Sequence, residues 1–239
     1  MLVAGDQEAF PLEPRWWEAA WTFVKMGFVH ILDGKDHLLF VLCLVIPVRR
    51  VRPLVWVVTA FTVAHSVTLI GSALDMAPDG LWFPPLVELV IALSIVVMGV
   101  GNVFGWGGDR GWVLAFAFGL VHGFGFSFAL RESLQFAGGH LTAALLAFNA
   151  GVELGQVAAL AVMAPLVGLL FRYGVEERVG VMALSMLVAN IGLHWVWERW
   201  AVLGLYAITM PEWNPALLLR WVLVGMVLYG LWWWGRMRL

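Results

Sequence analysis

Cysteine is almost missing from this chain; the only one is Cys43, in an apolar run. A lone thiol excludes a disulfide framework and a cysteine metal cluster, so Cys43 reads as a small lipid-facing or core residue. Charge is scarce as well. Charged residues make up 13% of the chain and hydrophobic ones 62%, which is far from a soluble domain and points to a polytopic membrane protein. A net charge of −2 argues against nucleic acid as a partner. There is no glycine-rich nucleotide-binding loop. The first residues lack the basic start and early apolar core of a secretory signal, and carry Asp6, Glu8 and Glu13 instead. Residues 1–15 are therefore expected to be an extracytoplasmic N-terminal segment, and 16–239 a single transmembrane domain whose first apolar stretch stays in the membrane.

Long apolar runs are abundant. A bilayer core needs about 20 apolar residues per helix. Reading between charged and Pro/Gly-rich breaks predicts an all-α bundle of about seven transmembrane helices, near 16–47, 54–74, 83–104, 111–131, 140–171, 179–208 and 215–235. The first, fifth and sixth exceed a simple span, so they must tilt, break or extend into the interface. Arg49, Arg50, Arg52, Arg110, Arg172, Arg178, Arg236 and Arg238 fall on one set of loops. The other set has little beyond Arg15 and Arg131, and carries Asp75, Asp79 and Glu212. The positive-inside rule then puts the N-terminus outside and the C-terminus in the cytoplasm. Trp16, Trp17, Trp82, Trp112, Trp213 and Trp232–Trp234 fall near the expected interfaces, as depth anchors.

Against this background, residues 30–37 stand out: His-Ile-Leu-Asp-Gly-Lys-Asp-His, with apolar flanks on both sides. Each Asp or Lys at the centre of a membrane helix costs roughly 2.5–3.5 kcal/mol, a burden that marks a functional site with partners on other helices. His30 and His37 share a helix face, Asp33 lies between them and Asp36 at the edge. Gly34 can loosen the turn, and Lys35 needs a counter-charge of its own. His65, His122 and His194 sit mid-span in similar contexts: Ala60-Phe-Thr-Val-Ala-His65-Ser, Ala117-Phe-Gly-Leu-Val-His122-Gly and, more weakly, Ala189-Asn-Ile-Gly-Leu-His194-Trp. The first two have the look of an internal repeat. Asn149, Glu153 and Gln156 share a face of the fifth span, and Glu88 lies in the third. Several of these have a plainer reading. His194 reads first as an interhelical hydrogen bond, His140 as an interfacial loop residue, and Glu153 equally as the counter-ion of Lys35. Asp33 is open between ligand, outer support and ion-pair partner. Gly119, Gly123, Gly125, Gly151 and Gly155 permit close helix approach, which would bring polar groups together.

Imidazole and carboxylate without thiolate suit nickel, cobalt, zinc, iron or manganese, and disfavour an all-oxygen calcium or magnesium cage. Such a site would weaken in acid, where protons compete for the histidines. Three functions use it differently. A permease for a divalent metal passes the ion along. An intramembrane metal-dependent hydrolase keeps an open metal position to activate water, with Glu153 or Asp33 as general base. A non-transporting metal-binding accessory subunit seals the ion in.

The His30-x5-Asp36-His37 signature resembles the HupE/UreJ family of hydrogenase and urease accessory membrane proteins. So do Thr59-Ala-Phe-Thr-x-Ala-His65-Ser, Val87-Glu88, Phe118-Gly-Leu-x-His122-Gly-Phe-Gly-Phe126 and Phe148-Asn149-x-Gly-Val-Glu153-x-Gly-Gln156, which point to a second branch of that family. The likeness covers roughly residues 25–170. It implies a multi-pass protein of the bacterial inner membrane that transports nickel or cobalt, with metalloenzyme maturation proteins as partners. It also implies that His30, Asp36 and His37 bind the metal. The permease branch has a second motif with two histidines and a glutamate. Here Phe118 replaces the first histidine, Gly125 the glutamate, and only His122 remains; His65 and Glu153 are the candidates to fill in. The expected metal ligands are therefore His30, Asp36, His37, His65, His122 and Glu153. Asp33, Lys35, Glu88, Asn149, Gln156 and His194 are expected as supporting or ion-paired residues.

Overall fold

The computed structural model describes residues 15–48, 51–105, 111–134, 139–208 and 218–226, with side chains left undescribed at 51–52 and 127–134. Segment 1–14, Arg49, Arg50, Arg110, Glu212, Trp213, Arg236, Arg238, Trp232–Trp234 and most of the span expected at 215–235 lie outside the described residues, as does the side chain of Arg131. Every regular element among the described residues is a helix: α1 (Trp16–Asp33), α2 (Lys35–Val45), α3 (Val51–Ala73), α4 (Phe83–Phe104), α5 (Gly111–Leu134), α6 (Leu141–Tyr173) and α7 (Glu177–Leu203). A further helix, α8, covers 218–226. Within α3, α4, α6 and α7 lie stretches long and apolar enough to cross a membrane. The chain is a helical membrane protein, as its composition predicts.

The three overlong spans resolve differently. The first breaks at Gly34, whose extended backbone (φ −73°, ψ 95°) separates α1 from α2. Its N–H still closes α1 on the His30 carbonyl at 3.0 Å, and its own carbonyl opens α2 by accepting from Leu38 N–H at 3.0 Å. The fifth span runs 33 residues as one helix with Pro165 inside it. At 1.5 Å per residue that is about 50 Å, so it must tilt or project beyond a hydrocarbon core of about 30 Å. The sixth ends at Leu203, earlier than expected, where Gly204 caps it onto Trp200. Helix α4 has prolines in its first turn, where a missing N–H costs nothing, and stops at Gly105 in the left-handed conformation (φ 72°).

Glycines join the helices in pairs. Gly27 of α1 lies on the backbone of Phe148 and Val152, while Gly151 and Gly155 of α6 lie on Val24, Phe28 and Ile31. Rising numbers meet rising numbers, so α1 and α6 run parallel. Gly119 and Gly123 of α5 meet Phe61, Ala64, His65 and Thr68 of α3 in the same sense. Gly99 of α4 meets Ser185 and Ala189, whereas Gly192 of α7 meets Ile95 and Val96, so that pair is antiparallel. These directions are those of a chain that alternates across one layer, with α1 and α2 together making one passage. The apolar core falls into two main parts. One joins Phe23, Ile31, Leu69, Leu145 and Phe148. The other joins α2 to Leu54, Val58, Phe61, Leu160 and Val167. The polar residues of the 30–37 segment lie where the two meet.

Candidate functional site

The break at Gly34 sets the geometry of the centre. It ends α1 just after His30 and starts α2 just before His37, which brings their rings to 4.7 Å between centroids. A methyl on Gly34 would stand 2.7 Å from His37 Nδ1 and 2.8 Å from the His30 carbonyl, so only glycine leaves room for both. From α3, His65 comes to 6.2 Å from His30 and 6.0 Å from His37. From α5, His122 comes to 5.2 Å from His37. The structure thus gathers four sequence-predicted histidines from four helices. His37, His65 and His122 are 3%, 0% and 1% exposed.

Hydrogen bonding decides which nitrogen each ring offers. The Phe118 carbonyl can only accept, so His122 donates Nδ1–H to it at 2.8 Å. Its Nε2 then holds the free lone pair. The Asp36 carboxylate does the same for His37, with Oδ1 at 3.2 Å from Nδ1. A carboxylate or carbonyl behind one ring nitrogen, with the other left bare, is the arrangement that orients a metal-binding imidazole. The Nε2 atoms of His30, His37, His65 and His122 are all buried without a hydrogen-bond partner among the described residues, and so is Nδ1 of His65. Buried polar atoms rarely stay unpaired, and such groups call for an explanation. In this conformation no three His, Cys, Asp or Glu side chains among the described residues are gathered tightly enough to close on one ion.

A cavity of about 450 Å³ leads to three of the four rings, His30, His37 and His122. Asp33, Lys35 and Asp36 line it from the helix break, and Glu88, Trp195 and Arg199 from α4 and α7. Beyond the rings lie buried aromatics: Phe61 stands 5.0 Å from His122, Phe40 5.5 Å from it, and Phe61 6.1 Å from His37. Phe126 lies 3.9 Å from His30 and stacks on Phe148 at 5.0 Å.

The other predicted residues fall into place around this centre. Glu153 does not line the cavity. One carboxylate oxygen accepts from Thr59 at 2.7 Å, and the other is buried without a partner. One turn along, Thr62 donates to Gln156 at 2.7 Å. Lys35 is exposed on the cavity wall, and among the described residues no ion pair joins it to Glu153. Asn149 is buried and donates to the Leu145 carbonyl of its own helix at 2.9 Å, which leaves its oxygen unpaired. Glu88 is held by Arg199 at 2.7 Å on the cavity wall. His194 lies apart: its side chain is 72% exposed and paired with Glu198 at 3.2 Å. His140 directly precedes α6, as an end-of-helix residue.

Sequence reading missed the partners more than the principals. Thr59 and Thr62 sit in the same short motif as His65, three residues apart, and that spacing could have marked them as a pair facing another helix. Phe61 and Phe126 were also inside quoted motifs. Arg199 gave no local signal, because its partner is 111 positions away.

No match was found among curated proteins or solved structures. A family model does match, over residues 6–199, and its description is HupE / UreJ protein. The match spans most of the chain and contains all four of these histidines, the helix break and the cavity wall. The chain belongs to the HupE/UreJ family.

Proposed function

We propose that this protein is a membrane permease for a divalent transition metal, with nickel or cobalt favoured. The HupE/UreJ family is linked to nickel and cobalt accessory roles for hydrogenase and urease, and the donor set fits. Imidazole with carboxylate and no thiolate suits divalent nickel, cobalt or zinc, and iron or manganese less selectively. The single observation that carries the proposal is the set of four bare, buried Nε2 atoms, three of them on rings that line a cavity also lined by Asp33, Asp36 and Glu88. Asp33, Asp36 and Glu88 would attract the cation and offset its charge in a poorly solvated space. His30, His37 and His122 would then replace its water, and His65, buried behind them, would receive it. Phe40 and Phe61, packed behind the rings, would make this the conformation open to one side. Release requires these two aromatics to part, and the break at Gly34 gives two half-helices that can shift separately. Under the orientation that the arginines predict, the open side faces outward, in a bacterial inner membrane.

The test is uptake by proteoliposomes of purified protein, with internal nickel, cobalt and zinc measured by mass spectrometry. Wild type should accumulate metal and His37→Ala should not. Metal that binds stoichiometrically to wild type without crossing would replace transport with a metal-dependent hydrolase or a metal-holding accessory subunit. Wild type that neither binds nor moves any of these ions would end the proposal.

A further inference from the structure

The outer face of α7 carries polar residues in a place where lipid would not tolerate them. This helix is 27 residues long with Asn190 at its midpoint, and Asn190 is exposed. His194 and Glu198 follow at intervals of four, with side chains 72% and 58% exposed. An amide at mid-bilayer and an imidazole–carboxylate pair one and two turns away are costly against acyl chains, which offer no hydrogen bonds. Such groups on a membrane helix ordinarily bond to another helix. Among the described residues, α7 also has the least covered membrane stretch. Only 28% of its apolar window is buried, against 50% for α3 and α4 and 39% for α6. Helix α8 does not cover it, because the Trp221 indole donates to the Met76 carbonyl at 3.0 Å and packs on Gly71, at the far end of α3.

We propose that this face binds a second copy of the same chain, α7 against α7. Its exposed residues Val179, Ala183, Met186, Asn190, Leu193 and Trp197 are spaced alternately by four and three, the repeat of a two-helix seam. All copies insert in one orientation, so a two-fold axis must run along the membrane normal, and the helices then meet in parallel at equal depth. That places Asn190 opposite the partner's Asn190. An amide both donates and accepts, so this residue is complementary to itself, and a single such residue in an apolar seam fixes register. The imidazole and the carboxylate are likewise complementary across the axis, since each copy supplies both. The groove between α4 and α7 is already filled by Gly99, Gly192 and Ala189, so among the described residues the exposed face is the one without a covering helix.

The test uses full-length protein in native membranes, with Cys43→Ala removing the only thiol. Single cysteines are placed at Met186 and Leu193 on the seam, and at Leu169 on exposed α6 as a control. Oxidation should give a dimer from the first two and not from the third. Counting of labelled subunits in nanodiscs should show two copies for wild type. Asn190→Leu should weaken association roughly tenfold, whereas His37→Ala should leave it unchanged. Single copies in nanodiscs, together with seam cysteines that react fully with a lipid-soluble maleimide yet never cross-link, would overturn the proposal. Intramolecular cross-links between Leu193→Cys and a second cysteine introduced within residues 227–239 of the same chain would overturn it as well.

Discussion

His122 and His194 sit at the centres of helices in comparable sequence contexts, and the fold treats them oppositely. His122 is 1% exposed; the His194 side chain is 72% exposed. The cause lies in the glycines beside them. A helix turns about 100° per residue. On α5, His122 is one residue from Gly123 and three from Gly119, the glycines that lie on α3, so its ring stays on the packed side. On α7, His194 is two residues past Gly192, the glycine that lies on α4. Two residues are about 200°, which turns His194 to the opposite side. A histidine joins the centre only when it shares a face with the stripe that packs its helix.

That contrast is breakable by mutation. His37→Ala should produce the largest loss, more than about a hundredfold in metal affinity, since even residues supporting a ligand cost 10–100-fold. His194→Ala should change metal affinity less than about twofold, a difference set by the same rule; equilibrium binding on purified protein measures both, and equal effects would refute the division drawn here. Asp36→Asn should fall between, about tenfold or more, because it keeps the shape but weakens the hold on His37 Nδ1. Loss of binding as complete as with His37→Ala would make Asp36 a direct ligand instead. Binding in both wild type and Asp36→Asn should fall as pH drops and protons compete for the imidazoles. Next comes Gly123→Ala. Its methyl would collide with the Thr68 hydroxyl and the His65 carbonyl, and overpacking of this kind costs about 1–3 kcal/mol. Thermal unfolding in detergent should show the loss, and His65 should be displaced with it. The same change at Gly168, which has open space around it, should not destabilise.

Much of this was legible beforehand. The helical class, the approximate bounds of the described helices and the polar histidines within them followed from apolar run length and from the cost of ionisable groups in lipid, both of which are local properties of the chain. The close approach at Gly119, Gly123, Gly151 and Gly155 was readable for the same reason, because small residues at intervals of four make a groove. What could not be read was which way a face turns once helices pair. His194 resembled His65 and His122 over a few neighbours, but its exposure depends on α7 meeting α4, a choice made by residues about ninety positions distant. The Glu153–Thr59 bond, with partners 94 apart, was hidden for the same reason. Glu153 looked free to neutralise Lys35 because no local rule announced a threonine facing it. Gly34 was marked as a loose point, but its role in making room for His37 appears only when three atoms from different residues are seen together.

The smallest expected effect concerns the second contact between the two regions, the Glu88–Arg199 pair at 2.7 Å. Here α7 does reach the cavity, through a residue five places past His194. The two side chains are 51% and 35% exposed, and pairs so open to solvent contribute only about 0.2–1 kcal/mol. Glu88→Gln should therefore barely alter unfolding. Its effect should instead be electrostatic, since it leaves the Arg199 cation uncompensated on the wall along which a metal ion approaches. Attraction of a divalent cation into the cavity should weaken, the association rate should fall by a few-fold, and salt should diminish the difference by screening. Arg199→Gln should do the reverse and speed association. Stopped-flow metal binding at low and high ionic strength measures this directly. If both variants bind at the wild-type rate in low salt, cations do not approach along this wall, and α7 contributes nothing to the site beyond packing.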